Sequence, residues 1–107
     1  MDNERAASIT IAGKEYQLIL TTRATKEIAK RYGGLANLGD KLMKSENFEL
    51  ALDELIWLIA LLANQSILIH NFQHPEDKQE PLTEEEIELL TTPTDLAEYK
   101  DAIMDSM

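Results

Sequence analysis

Nine consecutive apolar residues, Leu55-Ile56-Trp57-Leu58-Ile59-Ala60-Leu61-Leu62-Ala63, lie inside a helical pattern. At 3.6 residues per turn their side chains point around the whole circumference and leave no face for water. A membrane-spanning helix needs about 20 such residues, and this run is bracketed by Asp53-Glu54 and Asn64-Gln65. It is predicted to be the central helix of a small core, or part of a surface that a partner covers.

Length and cysteine usage narrow the class. A chain of 107 residues fits one domain, residues 1–107, that can bury roughly 65% of its extended surface. It contains no cysteine, which excludes disulfides, thiolate nucleophiles and cysteine-ligated zinc. The opening Met1-Asp2-Asn3-Glu4-Arg5 lacks the basic-then-apolar order of a signal peptide. A soluble, cytoplasmic protein is expected.

The net charge of −10 is unevenly spread. Residues 1–44 carry eight Lys/Arg and five Asp/Glu, whereas residues 45–107 carry two and fifteen. The acidic half repels phosphates and anionic lipid, so neither nucleic acid nor a membrane is an expected partner. It keeps an apolar domain soluble, and it can steer a basic partner or subunit into place.

Residues 1–7 are expected to be disordered, and residues 8–20 read as a β-hairpin. Ser8-Ile9-Thr10-Ile11 alternates, as does Tyr16-Gln17-Leu18-Ile19-Leu20, and Ala12-Gly13-Lys14-Glu15 supplies a glycine for a tight turn. Residues 22–107 read as the helical part. Thr21 or Thr22 caps a first helix with Ala24, Ile28 and Tyr32 on one stripe, and Gly33-Gly34 stops it. A short helix with Leu35, Leu38 and Leu42 inward follows. The long helix is predicted from near Phe48 to about His70, its inward ridge being Phe48, Leu52, Leu55, Ile59 and Leu62.

From Gln73 to Pro81 the chain is polar with two prolines and reads as an exposed loop. Thr83-Glu84-Glu85-Glu86 is a capping box, with Ile87, Leu89 and Leu90 as the apolar contact of its helix. Pro93 opens a last helix with Leu96, Tyr99 and Ile103 on one stripe and Met104 and Met107 close by. The fold class is therefore α+β and mostly helical, an N-terminal β-hairpin packed on a bundle of about five helices with one long central helix.

Chemical motifs are weak throughout. His70 and His74 are four apart, but Asn71 stands where a metalloprotease has glutamate, and Pro75 follows at once. The run Gly34 to Gly39-Asp40-Lys41 misses a phosphate-binding loop, because the lysine is one place late and no Ser/Thr follows it. Glu84, Glu85, Glu86 and Glu88 sit in a helix start that favours ionised carboxylates, the opposite of what a general acid needs. Ser66 and Ser106 have no histidine patterned to activate them. No cofactor, no metal and no enzymatic activity are expected.

Trp57 lies roughly 200° around the helix from Leu55. If Leu55, Ile59 and Leu62 face the core, then Ile56, Trp57, Ala60 and Leu61 face something else. Burying a large apolar side chain is worth roughly 1.5–3 kcal/mol, so that face must be covered, by the domain's short helices or by another chain.

The chain resembles the tail assembly chaperones of long-tailed bacteriophages, especially those of Gram-positive hosts and their prophages. The likeness runs in order through Ile9-Thr-Ile-Ala-Gly13-Lys14-Glu-Tyr16-Gln-Leu18, Ala24 through Ile28 to Tyr32-Gly33-Gly34-Leu35, the Leu-rich helix, Pro81-Leu82-Thr83-Glu84-Glu85-Glu86-Ile87, and Asp95-Leu96-Ala97-Glu98-Tyr99-Lys100-Asp101-Ala102-Ile103-Met104. It covers about residues 8–106. The resemblance implies a non-enzymatic chaperone in the bacterial host cytoplasm. Its client would be the helical, aggregation-prone tape-measure protein, shielded before the tail tube polymerises.

Such a role needs an apolar groove with adaptable side chains and a charged rim. The expected partner-binding residues are Ile56, Trp57 and Leu61 on the long helix with Tyr99, Ile103, Met104 and Met107 on the last. The same face can serve a homo-oligomer. The alternatives are an acidic interaction protein, or nucleic-acid mimic, that inhibits a DNA-binding protein, and a small enzyme assembled from dispersed residues.

Overall fold

Ala12 and Gly13 both take positive φ, 52° and 84°, as the two central residues of a type I′ hairpin turn do. They join β1 (Ala7–Ile11) to β2 (Lys14–Leu18) in antiparallel register, with Ile9 opposite Tyr16 and Ala7 opposite Leu18. The hairpin thus begins one residue before the expected start, at Ala7. Ile9, Ile11 and Leu18 point into the core, while Ser8, Thr10 and Gln17 are exposed, the alternation that a half-buried ribbon demands. A left-handed alanine is strained by about 1–2 kcal/mol, and asparagine tolerates that region better. Ala12→Asn is expected to stabilise the domain by about 0.5–1 kcal/mol, seen as a higher midpoint of thermal unfolding.

The computed structural model describes residues 7–34, 36, 37, 40 and 48–106. Among these residues four helices follow the hairpin: α1 (Thr22–Tyr32), α2 (Phe48–Gln73), α3 (Glu84–Leu90) and α4 (Pro93–Ser106). That is one fewer than the five expected. The short helix assigned to Leu35, Leu38 and Leu42 lies on residues outside those described, as do residues 1–6. α2 runs three residues beyond His70, to Gln73.

Local chemistry sets the other ends. The Thr21 hydroxyl accepts from the Ala24 N–H at 3.0 Å, and Gly33, at φ 87°, donates its N–H to the Ala29 carbonyl as the left-handed C-cap of α1. Both bonds of the capping box between Thr83 and Glu86 are made at the start of α3. Thr92 and Asp95 bond reciprocally in the same way at the start of α4.

α2 is the centre of the domain. β2, α1, α3 and α4 all pack on it, and Leu55, Ile56, Leu58, Ile59, Ala60, Leu62 and Ala63 are buried. Leu52 is half-buried. The nine-residue apolar run is thus mostly covered by the domain itself. By length and composition alone Leu52–Gln73 is also apolar enough to cross a membrane, and half of that window is buried within the domain.

Two polar bonds lock the chain between hairpin and helix onto α2. The Ile19 N–H donates to the Leu62 carbonyl at 3.2 Å. The Thr21 hydroxyl donates to Gln65 Oε1, and Gln65 Nε2 donates to the Leu61 carbonyl. Gln65 is only 4% exposed and would be costly there without these partners.

Candidate functional site

The last two turns of α2 leave the core. Ile67 is still buried, Leu68 is half-buried, Ile69 is 39% exposed and Phe72 is 89% exposed. Helical periodicity alone would let this stretch continue the buried stripe, but among the described residues no element lies over Phe72. Its ring stands in water at a cost that another chain could relieve.

A groove of about 700 Å³ opens beside it. Its floor is Leu68, Ile69 and Phe72 of α2, one wall is Thr21 and Arg23 at the start of α1, and the other is Pro75 and Lys78 after α2. Apolar side chains supply most of the lining surface, and Gln65, Asn71 and Gln73 join the two cations Arg23 and Lys78 in lining it. That chemistry suits an amphipathic helix laid in by its apolar face.

The second wall is held in a specific way. Asn71 Nδ2 donates to the Gln79 carbonyl at 2.9 Å, and the Gln79 N–H returns a bond to Asn71 Oδ1 at 2.8 Å. Asn64 makes the same reciprocal pair with Leu82, at 2.8 and 2.7 Å. Seven helical residues rise about 10.5 Å, and three extended residues span about 10 Å. The two asparagines therefore match the two backbone positions, and residues 79–82 run antiparallel to α2 as a strap. The stretch expected to be a loop is exposed, yet it is fastened. At its other end His70 Nε2 donates to the Asp77 carbonyl at 2.9 Å, with the Asp77 carboxylate 3.5 Å away.

Leu82 is 5% exposed whereas Gln79 is exposed. Asn64→Ala strands two buried backbone groups and should cost about 2–3 kcal/mol; Asn71→Ala exposes its partners to water and should cost about 1 kcal/mol or less. Urea titration of the two variants checks the order, and equal losses would contradict the clamp.

The residues expected from sequence are not brought together on one surface. Ile56 and Ile103 are 5% and 1% exposed and belong to the domain's own core. They are unavailable to a partner because the packed hairpin and helices enclose both, Ile56 on α2 and Ile103 on α4. Leu61 is half-buried against the core. Tyr99 is half-buried, and its hydroxyl donates to the Thr10 carbonyl at 2.8 Å, pinning α4 to β1; burial, then the nearby Asp95 and Glu98, raise its pKa. The Met104 side chain and Met107 lie outside the described residues.

Trp57 is half-buried on the α1 side. Tyr32 meets it edge-on at 5.7 Å, and the Arg31 guanidinium stacks over it at 4.5 Å. Arg31 Nε also donates to the Tyr32 hydroxyl at 3.0 Å, and that hydroxyl donates to Glu54. Partial burial and then the Glu54 bond push the Tyr32 hydroxyl up to about 12. Trp57 thus serves the joint between α1 and α2.

Of the apolar contact expected on α3, only Ile87 is buried. Leu89 and Leu90 are 74% and 49% exposed, because a helix of two turns that sits at the edge of the core can bury only one side chain fully. Ile69 and Phe72 were not among the expected site residues. Their signal was the apolar run Ile67-Leu68-Ile69 resuming after Asn64-Gln65-Ser66 in the same helix.

Among the described residues no group of three His, Asp or Glu side chains is placed to hold a metal. The run from Gly34 to Lys41 includes Gly39 and Lys41, which lie outside the described residues. No family model matches the chain, and no significant match joins it to a curated protein or a solved structure.

Proposed function

We propose that this protein is a non-enzymatic tail assembly chaperone, which holds apolar helical segments of a tape-measure protein in the host cytoplasm before the tail tube forms. The observation that carries the reading is the groove beside Phe72. A ring that is 89% exposed at the mouth of a mostly apolar cleft is an anchor without a contact, and a helical client supplies one. The sequence likeness supplies the kind of client.

The charge distribution supports the same role. A protein that carries sticky clients must not clump, and an excess of ten negative charges opposes non-specific aggregation. The capped, solvated glutamates of α3 serve that purpose better than acid–base chemistry.

The test is titration of a labelled helical tape-measure peptide into the folded domain, followed by fluorescence anisotropy. Saturable binding to the wild type, matched by protection of Ile69 and Phe72 in hydrogen exchange or by shifts of their NMR signals, is the expected result. Absence of binding, or binding that leaves these residues unperturbed, overturns it.

A further inference from the structure

The groove beside Phe72 departs in charge from the chain that builds it. Acidic residues outnumber basic ones by 20 to 10, yet among the described residues no Asp or Glu lines the groove, and Arg23 and Lys78 do. After residue 44 the chain has two Lys/Arg against fifteen Asp/Glu, and Lys78 is one of the two. Neither Arg23 nor Lys78 makes an ion pair among the described residues. Asp77, next to Lys78 in the chain, has its carboxylate 3.5 Å from the His70 ring instead.

The two cations stand on opposite walls, with Leu68, Ile69 and Phe72 as the floor between them. Arg23 lies in the first turn of α1, where no acidic residue offsets the positive end of the helix dipole, whereas α3 and α4 both carry carboxylates in that turn. Backbone and side chain therefore add to the positive potential of that wall. A helix seated on the floor by an apolar stripe presents its two flanks to the walls. These flanks are positions e and g of a heptad whose a and d are apolar.

We infer that the groove selects helices whose apolar stripe is bordered on both flanks by Asp or Glu. Arg23 and Lys78 each take a carboxylate, Arg23 through its fork of N–H donors, while Ile69 and Phe72 take the stripe. The inference names the chemistry of the client and rests on the groove being a helix receptor, as proposed above. The net charge of −10 opposes such a client at long range, but that field is screened beyond about 8 Å at physiological salt. Ion pairs partly buried under the client are screened much less, and they decide the selection.

Two three-heptad peptides test it, both with leucine at a and d, one with Glu and the other with Lys at every e and g. Like charges along each peptide keep its copies from pairing with one another. Binding to the full chain is followed by anisotropy at physiological ionic strength. Only binding lost in Phe72→Ser is counted, because a cationic peptide also adheres to the acidic half. The Glu peptide should bind about tenfold more tightly, since two rim pairs are gained with it and reversed with the Lys peptide. Arg23→Glu/Lys78→Glu, shown to be folded by circular dichroism, should invert the order. A wild type that binds the two equally, or prefers the Lys peptide, overturns the inference, and so does a double variant that keeps the wild-type order. If a tape-measure helix binds while neither designed peptide does, the selectivity falls and the chaperone reading stands. Binding of the Glu peptide without binding of a tape-measure helix keeps the selectivity and removes the client. If none of the three binds, both fall.

Discussion

Leu58→Ala is expected to lower the stability of the domain by about 2–5 kcal/mol. Leu58 is fully buried in the middle of α2, where hairpin and helices close over the helix from several sides. Walls fixed from several directions relax poorly into a cavity, which places the loss in the upper part of that range. Domains of this kind have about 5–15 kcal/mol in all, so the variant should melt far below the wild type. Leu61→Ala, on the half-buried edge of the same turn, should cost less. Urea unfolding with an unchanged slope is the measurement. A loss under about 1 kcal/mol for Leu58 would mean that α2 is not enclosed.

Phe72→Asp should act in the opposite compartment of the energetics. With its ring 89% exposed, Phe72 contributes little to folding, and the expected change in stability is within about 0.5 kcal/mol. Its effect falls on binding. An aromatic anchor that becomes covered by a partner is worth about 2 kcal/mol or more, so a helical tape-measure peptide should bind roughly thirtyfold more weakly. The carboxylate adds a desolvation cost in an apolar cleft. Anisotropy titration of the folded variant checks this, and an unchanged affinity would exclude the groove as the client site. Leu58→Ala and Phe72→Asp together separate the folding role of α2 from the binding role proposed for it.

Much of the fold was legible in the sequence because it is set by local chemistry. The I′ turn follows from a glycine between two alternating strands, the end of α1 from Gly33, and the start of α3 from the Thr83–Glu86 pair. The assignment of faces was legible only in part. Leu55, Ile59 and Leu62 are inward as their spacing suggested, but Ile56 and Ala60 are inward as well, since periodicity cannot tell how many neighbours surround a helix. The candidate site was missed for a similar reason. Whether Phe72 is covered depends on what tertiary structure lies over it, and nothing in residues 67–73 encodes that. The asparagine clamps pair residues 8 and 18 apart in sequence, and the match of seven helical to three extended residues becomes visible only once the strap is laid along α2.

The bond from Tyr99 to Thr10 spans 89 positions of the chain, and Ile103 completes a core to which Ile9 and Ile11 also belong. A hairpin of two strands is marginal when alone. During synthesis the opening ribbon can lean on α2 once that helix has emerged, but its β1 side stays open until the last helix has left the ribosome. A chain stalled before α4 would therefore leave the β1 side of the core uncovered, within reach of the host's own folding machinery.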